Sequence, residues 1–209
     1  MKHTFLLSLL TILCVLSGCN SSNTTAKEDA GQKDQTHGAH NMAMMESMDA
    51  MMQRTNAMKM TGDFDVDFAN MMIEHHQGAI DMSEIQVKSG SDAELKDMAK
   101  QIIVAQKAEI VKLRDFVQAH PATGIQQQPM HSRSMQSMHD QMKSMSMNGN
   151  MDQDFASMMM MHHEGAVTMA KEELANGQHA ELKQMAQQMI DDQQREIASF
   201  QAWLDKNRK

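Results

Sequence analysis

The stretch Asp67-Phe68-Ala69-Asn70-Met71-Met72-Ile73-Glu74-His75-His76-Gln77-Gly78-Ala79-Ile80-Asp81-Met82 returns 87 positions later as Asp154-Phe155-Ala156-Ser157-Met158-Met159-Met160-Met161-His162-His163-Glu164-Gly165-Ala166-Val167-Thr168-Met169. A repeat this long means that one structural unit is built twice, so the fold must place two equivalent copies around a shared core. The register continues without a gap: Gly90 matches Gly177, Leu95 matches Leu182, Gln106 matches Gln193, Glu109 matches Glu196, and Phe116 meets Trp203. Upstream, Met48 pairs with Met135, Met51 with Met138, Met58 with Met145 and Met60 with Met147. No segment alternates with the period of a strand, and each unit reads as a helical hairpin with a Met-rich leader.

Thr61-Gly62-Asp63 and Asn148-Gly149-Asn150 break the leaders, and Asp63 and Asn150 suit N-caps. Asp65, Asp67, Asp152 and Asp154 then fall in first turns, where the helix dipole favours acids. The first long helix is expected from about Phe64 to Lys88, closed by Gly90. Ser91-Asp92-Ala93-Glu94 has capping-box spacing for a second helix, which reaches about Gln118 before Pro121 and Gly124 stop it. The third and fourth run from about Met151 to Asn176 and from about His179 to Asp205. The expected fold is all-α: a four-helix bundle of two repeated hairpins with additional Met-rich leader helices. It occupies residues 42–209, with half one at 42–120, a linker at 121–129 and half two at 130–209.

Ahead of this body, Lys2 and His3 precede an apolar run, Phe5 to Leu16, that ends in Leu16-Ser17-Gly18-Cys19. This pattern reads as a bacterial lipoprotein signal at 1–18. Cys19 would be the lipidated first residue of the mature chain, and Cys14 would leave with the signal, so no disulfide framework is expected. Residues 19–41 are polar without apolar periodicity and read as a flexible tether. The expected location is periplasmic or otherwise extracytoplasmic, on the outer membrane in a Gram-negative cell. Without the signal the net charge is −9, which argues against a nucleic-acid partner.

Methionine is the outlier in composition, at 27 residues against six Phe, one Trp and no Tyr. From Met42 to Met60 the leader has almost no branched aliphatics, which a helix built only for burial would include. Its Met-x-Met and Met-x-x-Met spacings bring thioethers such as Met44, Met48 and Met51, and in the second leader Met135 and Met138, within reach of one another. Thioethers are soft donors suited to Cu(I) and, by the same softness, Ag(I). A Met-rich helix packed on the bundle would give the same pattern without metal.

At 100° per residue, Phe68, Met71, His75, Gly78, Met82 and Ile85 form one stripe, copied by Phe155, Met158, His162, Gly165 and Met169. His75 and His162 lie on the buried face, and His76 and His163 point about 100° away. Met71 with His75 and Met72 with His76 stand at i, i+4, as do Met158 with His162 and Met159 with His163, so each helix offers mixed sulfur–nitrogen half-sites. Two half-sites facing each other would suit Cu(I) and do not exclude Zn(II). Gln106 and Glu109 fall inside the apolar stripe of the second helix, as Gln193 and Glu196 do in the fourth. Their expected partners are the N–H groups of His75 and His162. A hydrogen-bonded polar layer that only sets helix register remains the alternative. Mid-helix Gly78 and Gly165, each costing up to about 1 kcal/mol relative to Ala, point to close helix approach beside the His.

The repeated Asp-Phe-Ala-x-Met-Met-x-x-His-His-x-Gly-Ala-x-x-Met block, followed about 30 residues on by Gln-x-x-Glu-Ile, resembles the DUF305 (CopM-like) family over roughly residues 60–205. The resemblance implies a ferritin-like helical bundle in secreted or periplasmic bacterial proteins, with members linked to copper binding and resistance. It marks His75, His76, Met82, His162, His163 and Met169. Neither half has Glu-x-x-His at the His pair, which weakens a di-iron reading.

No nucleophile–base set and no phosphate loop is present. The expected function is binding of copper or silver by a lipid-anchored extracytoplasmic protein that is not an enzyme and that sequesters or hands on the metal. Metal-efflux or chaperone proteins are the expected partners besides the ions and the membrane. A ferritin-like redox enzyme and a Met-rich protein-interaction module are the alternatives. With an unperturbed imidazole pKa of about 6.5, the His sites should weaken near pH 5 while flexible Met-only leaders retain the ion.

Overall fold

The computed structural model describes residues 28–122 and 133–207. Cys19, the signal segment, the tether up to residue 27 and most of the linker lie outside the described residues. The described chain is six helices without a strand: α1 (Glu28–Ala57), α2 (Phe64–Ser89), α3 (Ala93–Ala119), α4 (Arg133–Ser144), α5 (Met151–Asn176) and α6 (Ala180–Asn207). Hairpins α2–α3 and α5–α6 pack through α2 against α5, and the leaders α1 and α4 lie over α2 and α5 and touch each other. This is the expected all-α bundle of two repeated hairpins with leader helices. No described helix is long and apolar enough to cross a membrane.

The caps fall largely where the sequence puts them. Val66 N–H donates to Asp63 Oδ1 at 3.2 Å and Gln153 N–H to Asn150 Oδ1 at 3.1 Å. Ahead of each cap, Gly62 and Gly149 take φ of 83° and 82°, a left-handed turn that admits glycine readily. Asp67 closes the first turn by accepting Thr61 N–H (2.7 Å) and Gly62 N–H (3.1 Å), and Asp154 does the same for Asn148 (3.0 Å) and Gly149 (3.1 Å). At the start of α3 the cap is Asp92, which accepts Leu95 N–H at 3.0 Å, in place of the capping box read from Ser91. Asp92 wins because its carboxylate also takes the indole N–H of Trp203 at 3.1 Å, tying the end of α6 to the start of α3.

Three further expectations are corrected. The tether is shorter than read, because α1 is helical from Glu28. Once the Met-rich part of α1 is anchored by burial, extending the helix backwards needs no new nucleus, which offsets the poor propensity of Gly31 and Gly38. The leaders are not flexible arms either: Met44, Met48, Met51 and Met135 are fully buried, and Met138 and Met142 nearly so. Finally, Asp65 and Asp152 do more than complement a dipole. Asp65 accepts N–H groups from the α5–α6 turn, and Asp152 accepts them from the α2–α3 turn, so each half is fastened to the other.

Candidate metal centre

The repeat places α2 and α5 side by side in opposite directions, so the two His-His blocks meet at mid-bundle. His75 and His162 face each other across the seam with ring centroids 3.7 Å apart. All four histidines are buried, His76 and His163 included, because α3 and α6 cover the flank that helical periodicity alone leaves open. Within one helix the adjacent rings diverge, with His162 and His163 centroids 6.2 Å apart.

The glycines explain what stands beside the rings. A Cβ on Gly78 would lie 2.7 Å from Met51 Sδ and 3.3 Å from His162 Nε2. A Cβ on Gly165 would lie 2.6 Å from Met138 Sδ and 3.3 Å from His75 Nε2. Each glycine therefore leaves a hollow into which a leader thioether and the imidazole of the opposite half both project. The close approach read from the sequence is thus made by side chains, and it crosses between halves. Met71, Met72, Met82, Met158, Met159 and Met169, singled out by spacing or resemblance, are all fully buried around this layer.

Among the described residues neither ring nitrogen of His75 or of His162 makes a well-formed hydrogen bond, His75 making only a weak one with the His162 backbone. Unpaired buried nitrogens are costly unless something else satisfies them. Burial, followed by the neighbouring imidazoles, holds both rings well below the ordinary histidine range. They are neutral at physiological pH, the form in which imidazole binds metal. Any ion held by these rings would accordingly be displaced by protons only at a lower pH than an unperturbed imidazole implies.

The polar residues of α3 and α6 partner differently from the sequence reading. Glu109 Oε2 lies 2.8 Å from His76 Nε2 and Glu196 Oε2 lies 2.7 Å from His163 Nε2, both off the line that an ideal hydrogen bond prefers. The carboxylates thus serve the outer rings, His76 and His163, and not His75 and His162, because these face away from α3 and α6 into the seam. Gln106 and Gln193 are buried beside them, with Gln106 Oε1 and both amide atoms of Gln193 unpaired. The sequence reading missed His139, buried on α4 with Nε2 3.3 Å from Asp49 Oδ1 of α1. Its counterpart in the repeat is Met52, so no repeated pattern signals it.

Among the described residues no three His, Cys, Asp or Glu side chains converge to hold a metal ion. A metal at this centre therefore needs the thioethers as well as the imidazoles. Met51, Met138, His75 and His162 offer a neutral S2N2 set, which favours a soft ion over a hard one.

The family model for DUF305, "Domain of unknown function", matches residues 16–117 and again 115–204. Among solved structures, CopM in its Cu(I)-bound form is 29% identical, with a TM-score of 0.53 over 68% of this chain and 96% of CopM. CopM has also been solved bound to Ag (27% identical, TM-score 0.53, 68% of this chain and 96% of CopM) and to Cu(II) (28%, 0.53, 69% and 98%). A DUF305 fragment from Deinococcus radiodurans has the same fold at 19% identity and a TM-score of 0.54, covering 68% of this chain and 95% of the fragment. No curated protein matches the chain. Two tandem matches spanning both repeats, together with the shared helical fold, establish that the chain belongs to the DUF305 family.

Proposed function

We propose that the protein binds Cu(I), and equally Ag(I), in the layer between its two halves, and that it sequesters or hands on these ions outside the cytoplasm. One observation carries the reading. Two neutral, unpartnered imidazoles meet across the seam, and each shares a glycine-made hollow with the thioether of the opposite half's leader. The Cu- and Ag-bound forms of the related CopM support the same class of ion. Met71, Met72, Met82, Met158, Met159 and Met169 line the surroundings as further donors, with Met44, Met48 and Met135 behind them. His76 and His163, braced by Glu109 and Glu196, hold the outer edge. At the surface, Met42, Met45 and Met147 line a hollow of about 320 Å³ with Glu46 and Asp49, where a soft cation would first meet sulfur and negative charge.

The lipoprotein-like leader supports anchoring through Cys19, which places the site on the outer side of a membrane. Binding, and not turnover, fits a centre whose donors are packed on every side. The test is anaerobic titration with Ag(I) and Cu(I) of the parent, of M51L/M138L and of H75L/H162L, each first shown to be folded by circular dichroism. The parent should bind tightly and each double variant should lose the central equivalent. Equal binding by all three would refute the central site.

A further inference from the structure

The seam between the halves is closed at each end by a buried aspartate. At one end Asp152, at the start of α5, accepts Gln86 Nε2 (2.6 Å), Ser91 N–H (3.1 Å) and Asp92 N–H (3.2 Å) from the α2–α3 turn. At the other, Asp65, at the start of α2, accepts Gln178 N–H (3.0 Å) and His179 N–H (2.8 Å) from the α5–α6 turn. The positions are equivalent across the repeat: Ser91 and Asp92 correspond to Gln178 and His179 and give their backbone N–H groups alike, but where Gln86 gives a side-chain N–H its counterpart is Glu173. An amide carries an N–H to give its aspartate, whereas a carboxylate has nothing to give.

Glu173 and Asp65 are both 0% exposed, and among the described residues no other group donates an N–H or O–H to either Glu173 oxygen. Glu173 is folded back over its own helix end, where a Cβ on Gly177 would collide with Oε1. It can hydrogen-bond to Asp65 only through a proton of its own. Burial first, and then the Asp65 carboxylate, push Glu173 up to about 8. Burial would raise Asp65 too, but the His179 and Gln178 N–H groups, with the hydrogen bond from Glu173 and the neighbouring His179 ring, together outweigh it and hold Asp65 low. Around the pair stand Asp63 on the α2 side and Lys183 of α6, whose Nζ donates to Gly177 O at 3.1 Å and which opposes the upward push. His179 Nδ1 lies 3.3 Å from Asp65 Oδ1, and His120, at the end of α3, meets His179 edge-on with centroids 4.7 Å apart.

We propose that Glu173 and Asp65 form a proton-held latch: while Glu173 carries its proton the α5–α6 turn is pinned to the start of α2, and rising pH loosens this end of the bundle alone. In the open turn Glu173 would ionise near its ordinary value, whereas in the closed turn it stays protonated. Opening is therefore favoured progressively as pH rises toward 8, by up to about tenfold per unit, and levels off once Glu173 ionises in place.

Hydrogen exchange of the full chain from pH 5 to 9, corrected for intrinsic base catalysis, reads this directly. Protection around residues 177–183 should fall with pH up to about 8 in the parent, while protection around 90–96, at the Gln86 end, stays constant. E173Q should abolish the dependence. Q86E should create the same dependence at 90–96, which tests the latch independently should E173Q not fold. A parent without pH dependence at 177–183, E173Q with the parent's slope, or Q86E with no new dependence at 90–96 would each overturn the latch.

Discussion

Replacing Gly78 by alanine sets two effects of known sign against each other at the centre of the molecule. Helix propensity favours Ala over Gly by up to about 1 kcal/mol in a helix interior. Against this, the new methyl would stand 2.7 Å from Met51 Sδ and 3.3 Å from His162 Nε2, both on fully buried side chains. Overpacking of a well-filled core costs about 1–3 kcal/mol. Because the thioether is the more flexible of the two, Met51 should give way first, leaving a net destabilisation of about 0–2 kcal/mol. In a domain of this size that is a loss of about 0–8 °C in Tm. The larger effect falls on the ion, since the sulfur that yields is the one proposed to bind it. Urea denaturation with Ag(I) titration measures both, and G165A should behave alike through Met138. A double-mutant cycle isolates the contact: M51A alone opens a cavity costing about 2–5 kcal/mol, and G78A/M51A should be less destabilised than the sum of the singles by about 1 kcal/mol. If G78A is more stable than the parent and binds Ag(I) unchanged, the hollow does not constrain Met51 and the crosswise pairing is wrong.

Leucine at His75 and His162 should leave stability unchanged or raise it by about 1–3 kcal/mol, because unpaired buried nitrogens are removed at similar volume; urea midpoints at pH 7 check this. In the parent, both histidines have folded pKa values below the ordinary 6.5. The unfolded chain therefore takes up protons that the folded chain refuses, and stability should fall as pH drops below about 6.5, by up to about 1.4 kcal/mol per group per pH unit. H75L/H162L should flatten that part of the profile. Asp152→Ala removes the acceptor for Gln86, Ser91 and Asp92 and should cost about 2–4 kcal/mol in denaturant unfolding. Cys19→Ser should move the protein from the membrane fraction to the soluble fraction.

The repeat made the fold legible before any coordinates, because a duplicated hairpin with an unbroken register leaves few arrangements for its four long helices. The caps at Asp63 and Asn150, and the helix bounds at Met151 and Asn176, could be read because they depend on local chemistry. The partners of the polar layer could not. Whether Glu109 meets His75 or His76 depends on which flank of α2 the α3 helix covers, and periodicity gives the face of a helix without its neighbour. The leader methionines showed the same limit. Composition marked them as unusual but could not say whether they lie loose or buried, and it hid the placement of Met51 and His162, residues of different halves, beside the same glycine. A signal was present nonetheless: a glycine at a costly mid-helix position in both copies announced that something must occupy the space of its missing side chain.

The charge of the ion follows from the same geometry. Met51, Met138, His75 and His162 are all neutral, so an ion bound among them would bring its whole charge into a dry interior. The solvation penalty for burying a charge is large and grows with the square of that charge, so a divalent ion would pay about four times as much as a monovalent one. A monovalent ion is therefore favoured on electrostatic grounds as well as by the softness of sulfur. The single positive charge of such an ion would not be left alone, since Glu109 and Glu196 stand against the outer rings of His76 and His163, one imidazole removed from the seam. Placed there, the carboxylates can balance the ion without entering its coordination sphere. The arrangement exists only when both halves are present, because each hollow is walled by one half's glycine and thioether and by the other half's imidazole. An ion held in it would bind the folded seam and not the separated halves, and would stabilise the bundle by mass action in proportion to the logarithm of its concentration.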